Sequence, residues 1–229
     1  MLISYTHNFI FIHVAKSAGT SMYQALLPYA RQPLGGQWRK QLALLGPINR
    51  VGGLYLQNDF RIHVAAAEVR RCLPREVYAR AFKFAFVRNP WDRLVSFYAF
   101  LCREKTHRHH QFVSGLGSFE KYLRWDLKRR RTNQYPYITD RRGNLLVDFI
   151  GRFENMEEDF TKVCRQLSLK ADLPRVNTTT HRDYRTYYTP ETRELVAQHC
   201  RRDIELFGYT FDPVSEGASS SSLGRTPGP

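Results

Sequence analysis

Apolar residues in this chain fall either into short unbroken runs or into stretches where they recur every three or four positions. The run at 8–14, NFIFIHV, is apolar almost throughout, the pattern of a strand covered on both faces. A turn of small residues at 15–20 follows, with Thr20 or Ser21 placed to cap a helix that ends near Pro28. FKFAFVR at 82–88 predicts a second strand, and NPWD behind it supplies Asn89 as N-cap, Pro90 at the first helical position and Asp92 at the third. Leu94, Val95, Tyr98 and Leu101 then share one helical face. A third strand is expected in LLVDFIGRF, 145–153; Asn155 and Glu158 stand in capping-box register for the next helix, whose core face carries Met156, Phe160, Val163, Cys164 and Leu167. The segment 189–209 predicts one last helix, capped by Thr189, with Pro190 first and Gly208 as its stop. Strands alternating with helices imply an α/β class, a P-loop-like parallel β-sheet flanked by helices. The weakly patterned segment 31–59, with PLGG and VGG, reads as a loop-rich insert with room for a binding partner.

Composition sharpens this picture in three ways. The 229 residues, 42% hydrophobic and 14% aromatic, fit one domain, placed at 1–212; residues 213–229, rich in Ser, Gly and Pro, have little to bury and read as a flexible tail. Lys and Arg number 35 against 21 Asp and Glu, a net charge of +14 that gathers anions: nucleic acid, a membrane face, a nucleotide or an acidic polysaccharide. KRRR at 128–131 and the Arg141, Arg142 pair read as a solvated basic face. Cys72, Cys102, Cys164 and Cys200 are scattered without metal-ligand spacing and read as reduced core thiols, and HRHH at 107–110 reads as an exposed loop, so no metal site is expected. The sequence contains no apolar run of eighteen residues and no signal-peptide pattern, which reads as a soluble, cytoplasmic chain without a transmembrane segment.

The candidate chemistry lies in the two turns that follow the first two strong strands. At the carboxyl edge of a parallel sheet, free N–H groups and the helix dipole form an anion site. In AKSAGTS the small residues Ala18 and Gly19 admit a phosphate close to the backbone, and Thr20 and Ser21 add hydroxyl donors. A nucleotide triphosphatase loop ends in G-K-[ST], with the lysine reaching the outer phosphates. Here Lys16 precedes the glycine, which aims it at whatever group the phosphate carries. In the second turn, Arg88 ends a strand and Ser96 lies about two helical turns on, so both can face one phosphate; the alternative is that Arg88 pairs with Asp92.

The pair KSAGTS and RNPWDRLVS resembles the 5′-phosphosulfate loop and 3′-phosphate motif of sulfotransferases that use 3′-phosphoadenosine 5′-phosphosulfate (PAPS). The likeness is closest to the carbohydrate enzymes grouped as sulfotransferase family 2, which includes heparan sulfate 2-O-sulfotransferase. FIHVAKSAGTS is similar to the family's opening, RIHVAAAEV to its histidine segment, and VDFIGRFENMEEDF and YRTYYTPETRELV to later blocks, in order over 8–212. The family opening usually carries a proline and a second glycine where this chain has Ala15 and Ala18. The resemblance implies transfer of a sulfuryl group to a hydroxyl acceptor, a carbohydrate first and an anionic glycan among the candidates, with 3′,5′-bisphosphate nucleotide (PAP) as product and no metal. It implies that Lys16 contacts the bridging oxygen, that Ser17, Ala18, Gly19, Thr20 and Ser21 cradle the 5′-phosphate, and that Arg88 and Ser96 hold the 3′-phosphate. Arg182, Tyr184 and Arg185 are candidates to close over the nucleotide.

The acceptor hydroxyl must lose a proton, and His63, at the position of the family's histidine segment, is the expected base; Glu68 and Glu154 are the carboxylate alternatives. Two other readings compete. A P-loop kinase or NTPase lacks its G-K-[ST], and a basic nucleic-acid-binding module rests on charge alone.

Overall fold

The chain opens with β1 (Leu2–Ser4), a strand too short for the apolar pattern to single out, which turns back antiparallel onto β2 (Phe9–Ile12). The computed structural model describes residues 1–30, 50–51, 54–55, 63–129, 132–174 and 181–212. Behind β2 come α1 (Gly19–Leu26) and a 3-10 turn (Leu27–Tyr29), and within the expected insert a small antiparallel pair, β3 (Arg50–Val51) and β4 (Leu54–Tyr55). The rest of that insert, Arg130, Arg131 and the expected tail lie outside the described residues. Next follow α2 (Ala66–Cys72), α3 (Arg75–Arg80), β5 (Phe82–Val87) and the long α4 (Pro90–Arg103). The second half holds α5 (His110–Gly115), α6 (Phe119–Lys128), α7 (Tyr135–Ile138), β6 (Phe149–Arg152), α8 (Met156–Leu167), α9 (Pro190–His199) and α10 (Arg201–Phe207).

The main sheet runs β1-β2-β5-β6, with β2, β5 and β6 parallel, Ile12 beside Ala85 and Phe84 beside Phe149. Unbroken apolar strands are what two-sided burial requires, and the two faces separate cleanly. Phe9, Phe11, Phe84 and Phe86 pack with Met22, Leu26, Phe160 and Val163 on one face, while Ile10, Ile12, Ala85 and Val87 meet Val69, Ile138, Phe207 and Tyr209 on the other. A third apolar cluster, built on Trp91, Leu94, Tyr122, Leu123 and Val196, joins α4, α6 and α9 beyond the sheet. Because β2 and β5 are parallel neighbours, the turns after them emerge side by side at one edge.

Several element ends differ from expectation. No hydroxyl caps α1; its N-cap is Ala18, held in the left-handed conformation at φ 59°. Asn89 does cap α4, its Oδ1 accepting from Trp91 N–H at 3.1 Å. At α8 the Asn155–Glu158 box does not form, since a 3-10 turn (Phe153–Asn155) feeds straight into the helix and Asp159 reaches back to accept from Arg152 N–H at 2.8 Å. The third strand is shorter than 145–153, and Leu145 instead makes an isolated bridge to Thr139. The single last helix is two, parted at Cys200, and the buried Asp203 of the second accepts from Gln134 and Tyr135 N–H at 2.7 and 2.8 Å. Thr189 keeps its cap and Gly208 its stop, at φ 63°.

Candidate active site

The turn between β2 and α1 is bent by two non-glycine residues in the left-handed region, Lys16 at φ 66° and Ala18 at φ 59°. Such residues cost of order 1–2 kcal/mol each and persist only where the surroundings fix them. Here the surroundings do so through one buried amide. Gln134 Oε1 accepts from the Ser17 hydroxyl at 3.2 Å and from Arg88 N–H at 3.0 Å, while its Nε2 donates to Arg88 C=O at 2.7 Å. One side chain therefore ties the first turn to the second, and Asp203 holds the Gln134 backbone from behind. Arg93, one turn into α4, adds a further tie by donating to Ala15 C=O at 2.9 Å and to Thr132 C=O.

Gly19 has a reason of its own. A Cβ there would lie 1.8 Å from the ring of His13, which is buried against it and stacked on Phe11. Burial, His63 and the chain's amino terminus push the His13 pKa down to about 3, so its imidazole is neutral at any physiological pH. His63 meets that ring edge-on at 4.6 Å between centroids, and its Nδ1 bonds the His13 carbonyl at 3.1 Å. A carbonyl only accepts, so Nδ1 carries the proton and Nε2 keeps the lone pair. Burial also lowers the His63 pKa, which favours that neutral tautomer.

His13, Ala15, Lys16, Thr20, His63 and Arg93 share the lining of one cavity of about 730 Å³. The Lys16 ammonium sits 4.4 Å from the Phe100 ring centroid. Its pKa is pushed down to about 8 by burial first and then by Arg88, Arg103 and Arg93, so at neutral pH it is a cation held in a poor dielectric among like charges. An anion in the cavity would offset the repulsion among these like charges. No side chain caps the N-terminus of α1 beside it.

The remaining expected residues are placed differently. Arg88 is buried and committed: Nε donates to Asp92 at 2.8 Å, the guanidinium lies 3.9 Å over the Phe153 ring, and the η nitrogens reach Lys16 C=O and His181 Nε2, each at 3.4 Å. The Arg88–Asp92 pairing that the sequence left open is therefore present. Ser96 is fully buried, and among the described residues its hydroxyl has no hydrogen-bond partner. Ser17 is turned toward Gln134, and Ala18 and Gly19 contribute backbone only. Tyr184 packs on Phe211 and donates to its carbonyl, Arg185 pairs with Asp183, and Arg182 is exposed; none of the three lines the cavity. Glu154 accepts from Asn89 N–H and Tyr209 O–H, and Glu68 is exposed on α2, so His63 is the member of the three base candidates that lines the cavity.

Three participants escape a reading of the sequence. Gln134 lies in no motif, Arg93 lies inside RNPWDRLVS without a role that the stretch marks, both act across long sequence separations, and His13 reads as one more strand residue. The histidine stretch differs too: His107 and His109 are half-buried against Phe100 and Trp125 and line the cavity instead of standing in an exposed loop. Among the described residues, no group of three or more His, Cys, Asp or Glu is placed to hold a metal, and no helix is long and apolar enough to cross a membrane.

Lys16 and His63 line one cavity at the turn between β2 and α1, and comparison with known proteins gives the class. The sulfotransferase family model matches residues 1–210, and the chain belongs to that family, in the branch grouped as family 2; it is a sulfotransferase. An uncharacterized protein of Archaeoglobus fulgidus is 31% identical over 121 residues, 51% of this chain and 93% of that protein. The crystal structure of mouse sulfotransferase SULT7A1 complexed with PAP is similar at a TM-score of 0.47 and 14% identity, over 90% of this chain and 85% of that one.

Proposed function

We propose that the enzyme moves a sulfuryl group from PAPS to a hydroxyl of a carbohydrate. The observation that carries this reading is the meeting of Lys16 and the lone pair of His63 Nε2 in one cavity, at a turn whose helix start is uncapped. An uncapped helix start and one orphaned buried hydroxyl support this donor. The first-turn N–H groups of α1 would hold the 5′-phosphate, and the orphaned Ser96 hydroxyl, with the η N–H groups of Arg88, would hold the 3′-phosphate. Bound there, PAPS supplies an activated sulfuryl group and needs no metal to do so.

The chain's own residues do the rest. His63 Nε2 accepts the acceptor's hydroxyl proton as the new O–S bond forms. Lys16 faces the bridging oxygen, where negative charge collects as the old S–O bond breaks. His13 and its carbonyl keep the His63 ring turned the right way, and Gln134 keeps the two phosphate turns in register.

Thermal unfolding with separate additions of PAP, ATP plus magnesium, and an oligonucleotide tests the donor, because a ligand of the native state raises stability by RT ln(1 + [L]/Kd). PAP alone is expected to give a large shift. A larger shift with ATP and magnesium overturns the donor assignment, and labelled-sulfate transfer to a panel of glycans and small alcohols tests the acceptor.

A further inference from the structure

Lys16 is assigned to the bridging oxygen and His63 to the acceptor's proton, which leaves the outer oxygens of the travelling sulfuryl group without a side-chain donor. His13 stands where one is needed. It follows directly on β2, is 7% exposed and lines the same cavity. Its ring touches both ends of the site. The Cδ2 and Nε2 atoms crowd Gly19, the first residue of α1, since a Cβ there would lie 1.8 Å from each. His63 meets the ring edge-on, with 4.6 Å between centroids and 71° between planes. The start of α1 is the place of the 5′-phosphate and His63 that of the acceptor hydroxyl. A ring in contact with both is beside the sulfur that passes between them.

The two nitrogens of His13 are unequal. Nδ1 is buried and, among the described residues, has no hydrogen-bond partner. It is unsatisfied in either neutral tautomer, so the choice falls to Nε2, on the side of the ring against Gly19. A bare lone pair on Nε2 would repel anionic oxygens held at the helix start, whereas an N–H there bonds them. An anion at this turn therefore selects the Nε2–H tautomer. Burial first, and then His63, push the His13 pKa down to about 3, so this donor is a neutral one. The ring is also held still: it stacks on Phe11 at 5.9 Å between centroids, and its own carbonyl accepts from His63 Nδ1. A donor fixed in this way costs no reorganisation when the reaction occurs.

We propose that His13 is a second catalytic histidine, whose Nε2–H donates to an outer oxygen of the sulfuryl group and holds the sulfur in line between the bridging oxygen and the acceptor hydroxyl. This rests on the sulfuryl-transfer reading of the same cavity, and PAP, which lacks the sulfuryl group, separates the two. The full-length protein is isotope-labelled at the histidine nitrogens and its ring proton–nitrogen correlations are recorded at neutral pH, with His13→Gln for assignment. His13 is expected as the Nε2–H tautomer, its signal moved at least twice as far by PAPS, read before turnover, as by PAP. In calorimetry His13→Leu is expected to weaken PAPS about ten-fold or more while PAP stays within two-fold. His13→Gln, whose amide donates from a similar place, should recover most of that loss. An Nδ1–H tautomer with PAPS bound, or a PAPS affinity that His13→Leu leaves intact, overturns the proposal. Equal losses for PAPS and PAP hand the ring to the 5′-phosphate and overturn it as well. Sulfuryl transfer from PAPS to water, read as PAP released, tests whether His13 acts only through His63. The losses from His13→Leu and His63→Ala should multiply; a double variant no slower than His63→Ala makes His13 a support for that ring and overturns its contact with the sulfuryl group. If His13→Leu fails to fold, the wild-type tautomer and the PAPS-against-PAP signal decide. Wild type that binds neither nucleotide sinks the donor reading itself, whereas PAP binding without a PAPS-specific response at His13 sinks this inference alone.

Discussion

The two turns at the carboxyl edge of the sheet sit one strand apart and are built on opposite plans. The second, after β5, uses conventional parts: an asparagine cap, a proline at the first helical position and a buried arginine with a carboxylate four residues on. The first, after β2, has no cap, two left-handed non-glycine residues, a histidine ring packed against its glycine, and a lysine made less basic by its surroundings. The difference follows what each turn faces. The second lies under Phe153 and the late segment at His181, where local hydrogen bonds engage Arg88 and Asn89 and, among the described residues, the Ser96 hydroxyl is left without a partner. The first opens on the cavity, and its strain is held by Gln134 and Arg93 from outside. A site whose polar groups are left for a ligand cannot also satisfy itself, and the support has to come from elsewhere.

The contrast is broken most sharply at Lys16. Lys16→Ala is expected to lower kcat by about 10²–10³-fold while PAP affinity stays near wild type, since its contact matters as charge develops. A loss confined to PAP affinity would make the first turn a binding turn like the second. His63→Ala should lower kcat by about 10²-fold or more with donor binding retained. The pH profile of kcat/KM adds a check on both. A base must be deprotonated and His63 has its pKa lowered by burial, so the acidic limb falls below the usual histidine value of about 6.5 and vanishes in His63→Ala. Lys16 must be charged, and its pKa is pushed down to about 8, so activity declines as pH rises through that value; Lys16→Arg moves this alkaline limb upward.

Arg88→Ala should act on the other side of the comparison, weakening PAP by roughly 1.5–3 kcal/mol with the smaller effect on kcat. It also leaves Asp92, 14% exposed, with only His181 Nε2 at 3.6 Å as an ionic partner among the described residues, so Arg88→Ala/Asp92→Asn is measured beside it. If the double variant regains PAP affinity, the arginine's role is to neutralise Asp92 and not to hold a phosphate. The smallest effect is steric. Gly19→Ala drives a methyl into the His13 ring and should cost about 1–3 kcal/mol of stability, part of it recovered in Gly19→Ala/His13→Ala. Simple additivity of the two substitutions in chemical denaturation would show that the ring does not dictate the glycine.

Much of this molecule is written locally. The strands at 9–12 and 82–87 follow from unbroken apolar runs, the start of α4 from Asn89 and Pro90, and the stop at Gly208 from its freedom at positive φ, because each depends on residues within a few positions of one another. The two phosphate-type turns were legible for the same reason, since a strand, a small-residue turn and a helix are contiguous in sequence. Other features belong to the tertiary structure. Asp203 accepts from N–H groups 68 and 69 residues away, and Gln134 joins turns 117 and 46 residues distant. No local pattern encodes such partners, because a buried amide or carboxylate takes its meaning from whatever unsatisfied group the fold brings to it. The same holds for the histidine loop: HRHH alone is a polar stretch, and only the packing of His107 on Phe100 and of His109 on Trp125 turns it into cavity wall. Periodicity fixes which face of an element is buried, but the contents of a cavity depend on how the elements pack, and that packing is set by the summed burial of all of them.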